Sequence, residues 1–162
     1  MKKQLLTLFL SSLFLFNCSE NSESETENFK PDGHYITCKL NGESFEPTLT
    51  LGSYSTKYLT ITGSTKNPGK IIIITIENPE KGKTYNLNNN DSEVDLTSIL
   101  VETETDKKYS ANFSKGSGSI TLTHLDEDSA AGIFNAITVY NDDNNDTIKI
   151  TSGKFSLTSF FL

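Results

Sequence analysis

The chain has 162 residues and a formal net charge of −7, a length that suits one folded domain. All 14 basic residues are lysines, so the chain lacks the planar guanidinium group that binds phosphate or guanine through two hydrogen bonds. Because an acidic protein is also repelled by a phosphate backbone, the composition argues against a nucleic-acid partner.

Residues 1–17 predict a lipoprotein signal peptide. Two lysines precede an apolar run over residues 5–16, which as a helix reaches about 18 Å and falls short of the hydrocarbon core of a bilayer. The run ends in Leu15-Phe16-Asn17-Cys18, which resembles a bacterial lipobox, in which leucine stands three places before the lipidated cysteine. The resemblance implies that Cys18 becomes the lipidated N-terminus of the mature protein. The alternative is an ordinary cleaved signal peptide with a chance cysteine.

Residues 18–32 predict an acidic, disordered tether behind the lipidated cysteine. Four glutamates and several serines bury too little apolar surface to offset the entropy of ordering. Such a stretch also resembles the surface-export signals of Bacteroidota lipoproteins, so we expect an outer-membrane protein exposed at the cell surface; the alternative is a domain that faces the periplasm. Without Lys2 and Lys3 the mature chain has 12 lysines against 21 acidic residues, a net charge of −9, so lipid rather than charge attaches it to the membrane.

Residues 33–162 predict a single β domain, because apolar residues alternate with a period of two. Cys38 and Leu40 point to the same face of a first strand. The dipeptide Asn41-Gly42 follows, and it favours a type I′ hairpin turn because both central positions of that turn need a positive φ. Folding the chain at this turn places Cys38 opposite Phe45 on the core face.

The segment 71–76 contains five isoleucines and predicts a central strand. Because it is apolar on both sides, we expect neighbouring layers to cover both of its faces. A strand over residues 57–62 precedes it and a short strand over residues 84–87 follows it. Residues 95–103 fit either a strand or one helical turn.

The second half of the domain continues the alternating pattern. Strands at 109–113 and 120–123 flank an expected chain reversal at 114–118, and the acidic loop 141–146 separates two further strands. Ser152-Gly153 forms either a tight turn or a bulge within one long strand. Nine or ten short strands without a secure helix predict an antiparallel β-sandwich or a flattened β-barrel.

The order of these segments resembles a group of small Bacteroidota lipoproteins that are classed as domains of unknown function. The resemblance implies a β-rich domain on an acidic tether, and it supplies no catalytic residues. It rests on five segments: CKLNGESF at 38–45, GKTYNL at 82–87, GSGSITLTHLD at 116–126, AGIFNA at 131–136 and ITSGKFSL at 150–157.

Two patterns suggest metal sites, although we expect no metal. His34, Cys38 and His124 share the parity of apolar stripes and would suit zinc if these stripes adjoin; the alternative is two histidines at the solvent rim and a buried thiol. In the acidic loop, Asp142, Asn144 and Asp146 imitate the start of a calcium loop. The turn glycine and the terminal glutamate of such a loop are missing, which favours a solvated hairpin loop.

No pattern defines a catalytic site. The chain has no G-x-S-x-G elbow and nothing selects a pair among its 21 acidic residues, so we expect neither an enzyme nor a cofactor. Ser129 and Thr147 follow aspartate and precede aliphatic residues, which resembles the sites that Bacteroidota O-glycosylate. Five tyrosines are candidates for a glycan-binding platform, with cross-strand packing as the alternative: Tyr54, Tyr58, Tyr85, Tyr109 and Tyr140.

These observations favour a non-catalytic, lipid-anchored envelope protein that binds a partner protein or a glycan, because framework residues are abundant and site chemistry is scarce. The alternative is a carrier that holds an apolar small molecule in a barrel cavity. An enclosed apolar cavity in the structure favours the carrier, and a filled core favours the binding module.

Overall fold

A computed structural model describes residues 29–66, 69–88 and 96–161, and within these residues the chain is all β. Eleven strands form one antiparallel sheet curled into a half-barrel, which confirms the predicted class and corresponds to the barrel among the two expected architectures. Within the same residues, no helix is long and apolar enough to cross a membrane. The strands are β1 (Tyr35–Leu40), β2 (Glu43–Phe45), β3 (Leu49–Tyr54), β4 (Tyr58–Ser64), β5 (Ile71–Glu77), β6 (Thr84–Leu87), β7 (Ser98–Glu102), β8 (Lys108–Ala111), β9 (Ser117–Leu125), β10 (Ala130–Tyr140) and β11 (Thr147–Leu157).

The strand order is β2-β1-β11-β10-β8-β7-β5-β4-β3, and β9 lies beside this path, paired with β10 and β6. We call β1, β9, β10 and β11 the β10 wall, and β3, β4, β5 and β7 the β5 wall. The walls meet where β1 contacts β3 and β4. Glycine permits this approach, because a Cβ at Gly63 would lie 2.3 Å from Cγ2 of Ile36, and a Cβ at Gly52 would lie 2.3 Å from Cδ1 of Leu157.

Both walls bury alternate side chains in one shared core. Burial of each large aliphatic or phenyl side chain contributes about 1.5–3 kcal/mol, so the concave face supplies most of the stability. The largest side chains with almost no exposure are Ile36, Leu59, Ile61, Ile72, Ile74, Ile76, Ile99, Ile120, Leu122, Ile150, Phe155 and Leu157.

The first hairpin forms as predicted. Asn41 has φ 51° and Gly42 has φ 90°, the positive values that a type I′ turn requires. Cys38 lies opposite Phe45, and both side chains are buried in the core. The local turn chemistry therefore sets the register of β1 and β2.

The strand β5 is central, as predicted, but it is not covered on both faces. It lies between β4 and β7, and Ile72 and Ile74 are fully buried on its concave side. Ile71 and Ile73 are only half-buried on its convex side. The expectation of two covered faces was wrong because a single curled sheet encloses one core and leaves its outer face to solvent.

The expected chain reversal at 114–118 was also wrong. Both β8 and β9 run antiparallel to β10 along the same edge, since Ser110 lies opposite Val139 and Ser117 lies opposite Ile137. The chain therefore continues in one direction through a local irregularity instead of folding back. The ambiguous segment 95–103 contains the strand β7, whose Ile99 and Val101 are fully buried. Its first residue, 95, lies outside the described residues.

Ser152-Gly153 forms a bulge and not a turn. β11 runs unbroken through both residues, and the register against β10 shifts between Phe134 and Ala136. Ser152 takes a positive φ of 53°. A Cβ at Gly153 would lie 2.4 Å from the carbonyl oxygen of Phe134, so the bulge needs glycine for close approach of the backbones.

Candidate functional site

The two walls present different convex surfaces. We call the convex side of β3, β4, β5 and β7 the apolar face, and the convex side of β1, β9, β10 and β11 the lysine face. Each name refers to the side chains that alternate with the buried ones in those strands.

The apolar face carries a row of side chains across four strands, of which three are aliphatic and one, Thr62, is a threonine. Cross-strand pairing joins Leu51 to Thr62, Thr62 to Ile73, and Ile73 to Leu100. Leu51 is 37% exposed and the nearby Leu49 is 51% exposed. A parallel row of hydroxyl groups runs beside it, on Ser53, Thr60, Thr75 and Ser98. The centre of this face is therefore neutral in a chain whose net charge is −7.

The lysine face carries three exposed lysines, Lys39, Lys149 and Lys154. Lys149 lies opposite Ile137, which is 45% exposed, and Lys154 lies opposite Ile133. No aspartate or glutamate occupies a convex position of β1, β6, β9, β10 or β11, all of which lie within the described residues. The strand positions of this face are therefore positive, and the Asp32 carboxylate, which accepts a hydrogen bond of 2.9 Å from Tyr35 on β1, lies at their edge.

The chain enters the domain across the lysine face. The Thr123 hydroxyl donates a hydrogen bond of 2.8 Å to the Phe29 carbonyl, and Lys154 Nζ lies 5.8 Å from the centre of the Phe29 ring. The Ser156 hydroxyl accepts from the backbone N–H groups of Asp32 and Gly33, and donates to the Gly33 carbonyl at 2.7 Å. The end of the predicted tether, from Phe29 to Asp32, therefore lies against the sheet.

An apolar cleft of about 250 Å³ lies beside this contact. It is lined by Phe29, Ile133, Lys154 and the bulge at Ser152-Gly153, among other residues. The bulge thus opens the outer surface of β10 and β11 where the Phe29 ring sits. The cleft is already used, at least in part, by the chain itself.

The three residues proposed for zinc are not brought together. The Cys38 side chain is buried, and burial raises the pKa of its thiol to about 12. The Nε2 atom of His34 is buried without a hydrogen-bond partner, and its ring meets Phe161 edge-on at 6.4 Å. His124 Nε2 lies 2.8 Å from an oxygen of Asp126, and this hydrogen bond holds the pKa of Asp126 well below its usual range. No group of three or more potential metal ligands occurs among the described residues.

The acidic loop directs its carboxylates toward groups of the protein. Asp146 accepts hydrogen bonds from Lys107 Nζ at 2.9 Å and from the Tyr109 hydroxyl at 3.0 Å, and the Lys107 ammonium lowers the pKa of Asp146. The interaction with Asp142 raises the pKa of the Tyr140 hydroxyl. The third calcium candidate, Asn144, is exposed. The contacts are those of a hairpin loop braced against the β7–β8 loop.

Four of the five candidate tyrosines pack against other side chains. Tyr85 and Tyr109 are buried, and Tyr109 lies 5.4 Å from the ring of Tyr140. The ring of Tyr54 lies 5.3 Å from Phe160. Tyr58 is half-buried at the end of the apolar face, beneath Lys57 Nζ at 5.1 Å. These positions correspond to cross-strand packing and do not assemble an aromatic platform.

The two O-glycosylation candidates differ in accessibility. The Ser129 hydroxyl donates a hydrogen bond of 2.9 Å to Asp126, within a tight loop between β9 and β10. Thr147 is exposed at the start of β11. The lipidation candidate, Cys18, lies outside the described residues.

The concave interior is filled by side chains. Ile74, Ile150 and Phe155 from the two walls have at most 1% exposure. A cleft of about 690 Å³ at one end of the half-barrel is lined by polar loop residues, among them Lys30, Asp126 and Ser129, rather than by the core.

Fold and surfaces together define an all-β half-barrel domain with two dissimilar convex faces. A family model described as a domain of unknown function, DUF6252, matches residues 32–157, and the chain belongs to this family. A search of curated proteins and a search of solved structures found no match. Sequence reasoning placed the core but missed both faces, because the outward residues of different strands come together only through the register of the sheet.

Proposed function

We propose that this protein is a non-catalytic, lipid-anchored binding module of the bacterial envelope, and that its apolar face binds a partner protein. In this proposal Cys18 carries the lipid, residues 18–32 are the tether, and the domain is exposed at the outer-membrane surface. The observation that supports it is the separation of the chain entry, on the lysine face, from the partly exposed aliphatic side chains Leu51, Ile73 and Leu100 on the other wall.

The chemistry of the apolar face favours a protein partner over a glycan. Glycan platforms use several exposed aromatic rings. This face carries the exposed Phe161 ring beside Leu51, but its other central side chains are Ile73, Leu100 and a row of hydroxyl groups. Aliphatic side chains that are partly exposed on neighbouring strands are typical of surfaces covered in a complex. A neutral centre also avoids repulsion between an acidic protein and an acidic partner.

The position of the chain entry supports an outward direction for this face. The anchor would leave from the β10 wall, so the β5 wall is on the far side of the half-barrel core. Eleven residue steps separate Cys18 from Phe29, so a fully extended tether spans about 36–40 Å. A partner in the envelope can therefore reach the apolar face while the lipid remains in the bilayer.

The proposal can be tested by placing a photo-crosslinking amino acid at position 73 and irradiating the protein in its native membrane. Position 137, on the other wall, is the matched control. We expect one defined protein adduct from position 73 and none from position 137. The captured protein, once purified, should bind the wild type and lose at least about tenfold in affinity for Ile73→Lys. Equal adducts from both positions, an adduct with a second copy of this chain, or unchanged affinity of Ile73→Lys would each contradict it.

We also propose Thr147 as an O-glycosylation site, with Ser129 as the less accessible one, because Thr147 is exposed and the Ser129 hydroxyl is engaged by Asp126. Peptide mass spectrometry of the native protein should find a glycan on Thr147 that Thr147→Val removes. An unmodified Thr147 peptide in native protein would contradict this assignment.

A further inference from the structure

Within the described residues, three strands of the sheet are paired on one side only: β2, β3 and β6. Proteins protect such edges with short strands, charged residues, prolines or bulges, because open backbone groups pair readily with another extended chain. β2 has three residues and includes Glu43, and β6 has four residues and follows Lys83. β3 has six residues without charge or proline, and its register with β4 is unbroken. β3 is therefore the unprotected edge of the described sheet.

The hydrogen bonds of the β3–β4 hairpin show which backbone groups of β3 face outward. The Ser55 N–H donates to the Tyr58 carbonyl at 2.8 Å, so in this antiparallel pair the odd-numbered residues of β3 bond to β4. The even-numbered residues Thr50, Gly52 and Tyr54 direct their N–H and carbonyl groups away from β4. Within the described residues, no strand pairs with this outer side of β3.

One of these outward groups is already bonded to a passing segment of the chain. The Phe161 N–H donates to the Gly52 carbonyl at 2.8 Å, and the Phe161 side chain is 59% exposed. Phe161 and Leu51 line a cleft of about 440 Å³ on the convex side of β3 and β4. Leu49 is exposed farther along the same strand. The edge thus offers backbone pairing and, beside it, space for an apolar side chain.

We propose that β3 binds the partner protein by strand addition, in which an extended segment of the partner pairs with the outward groups of Thr50, Gly52 and Tyr54 and continues the sheet. This inference rests on the proposed function and specifies how the partner of the apolar face is held. A row of N–H and carbonyl groups about 7 Å apart matches another extended backbone, and neither a glycan nor a lipid presents such a row. The added strand replaces the Phe161 N–H at Gly52, and its alternate side chains lie beside Leu51.

The charge of the chain limits which segments fit this edge. The net charge of −7 repels an acidic segment, whereas β3 and its neighbours Thr48 and Ser55 are uncharged. The fitting segment is therefore neutral or basic, with apolar residues at alternate positions to cover the leucines of β3. A second copy of this chain would bring the same negative charge, so we favour a different protein.

Photo-crosslinking from position 49, on this edge, tests the proposal in the native membrane. We expect an adduct with the same protein that position 73 captures. Thr50→Pro should reduce this adduct at least about tenfold, because proline removes the outward N–H of residue 50 and none of the hydrogen bonds to β4. Thr50→Val, which keeps that N–H, is the matched control and should leave the adduct unchanged.

Amide hydrogen exchange provides a second measurement, on the wild type, that does not depend on the folding of the proline variant. In the purified protein the outward amides of Thr50 and Tyr54 should exchange faster than the inward amides of Leu51 and Ser53. The probe is the protein captured at position 49, purified and added in excess. It should slow exchange at Thr50 and Tyr54 at least about tenfold, and unchanged exchange at both would overturn strand addition.

The two crosslinking positions separate this inference from the proposed function. Adducts from position 73 but none from position 49, or an adduct at position 49 that persists in folded Thr50→Pro, would overturn strand addition and leave the apolar face as the binding surface. No adduct from either position would overturn both proposals. An adduct between position 49 and a second copy of this chain would overturn the proposal and assign the edge to self-association.

Discussion

The two walls of the half-barrel share one apolar core on their concave sides, but their convex sides carry different side chains. Ile74 on the β5 wall and Ile150 on the β10 wall are buried in one core, although their convex neighbours differ: Ile73 lies between Thr62 and Leu100, whereas Lys149 is itself charged and lies opposite the exposed Ile137. The comparison teaches that one parity of each strand specifies the fold, while the other parity is free to specify what the domain contacts.

The largest expected effect tests whether the buried side chains of the two walls contribute to one core. Ile74→Ala and Ile150→Ala each remove buried methyl groups from the shared core, so each should lower the free energy of unfolding by about 2–5 kcal/mol. Both variants should unfold in urea in one transition, because the walls are not separate domains. Two transitions, or a loss confined to one wall, would contradict the single shared core.

The next largest effect concerns the contact between the two walls, where Gly63 on β4 approaches Ile36 on β1. Gly63→Ala places a methyl group against Ile36, at a site where the ideal Cβ lies 2.3 Å from a side-chain carbon, so we expect a loss of about 1–3 kcal/mol. Gly69→Ala, in the loop after β4, is the matched control because its Cβ would meet nothing within 4 Å. Equal stability of the two variants in chemical denaturation would show that the walls do not meet at Gly63.

Cys38 reports how well the β10 wall excludes solvent from the core, because its thiol is buried there. Burial raises the pKa of its thiol from 9.0 to about 12, so the folded state keeps the proton that the unfolded state releases. Its contribution is fully present below pH 9 and is lost as pH rises toward 12, with a slope of about 1.4 kcal/mol per pH unit. Cys38→Ala should lack this slope in unfolding experiments between pH 9 and 11. Rapid alkylation of Cys38 in the folded protein at pH 8 would contradict the burial of its thiol.

The smallest expected effect concerns the loop contact between the walls. Asp146 in the β10–β11 loop pairs with Lys107 in the β7–β8 loop, and the ammonium of Lys107 lowers the pKa of Asp146. Its stabilising contribution is present above the ordinary carboxyl range and is lost as pH falls through the lowered pKa. Asp146→Asn should therefore lower Tm slightly at pH 7 and reduce the loss of stability on acidification. An unchanged acid profile would show that the pair does not contribute.

Sequence reasoning reached the inside of this protein more completely than the outside. The alternation of Ile36, Cys38 and Leu40 and the Asn41-Gly42 turn were enough to predict the first hairpin, because both signals are local. The cover of β5 was predicted wrongly, since a run of isoleucine does not distinguish a strand buried on both faces from one whose convex face is partly exposed. The continuation of β8 into β9 depends on pairing with β10, a long-range choice that glycines and serines at 114–118 do not encode.

The candidate surfaces required the register of the whole sheet. Lys39, Lys149 and Lys154 are far apart in the chain, and only the pairing of β1 with β11 places them on one face. Leu51, Ile73 and Leu100 likewise meet through three successive strand pairings. Composition predicted the acidic net charge but not its uneven distribution over the two walls.

The assignment of opposite roles to the two faces depends most directly on where the lipid is attached. Intact mass spectrometry of the protein from its native membrane measures this. Our account predicts a chain that begins at Cys18 and carries a diacylglycerol on the sulfur, with loss of membrane attachment in Cys18→Ser. A mature chain with an unmodified Cys18, or one that begins at another residue, would contradict it.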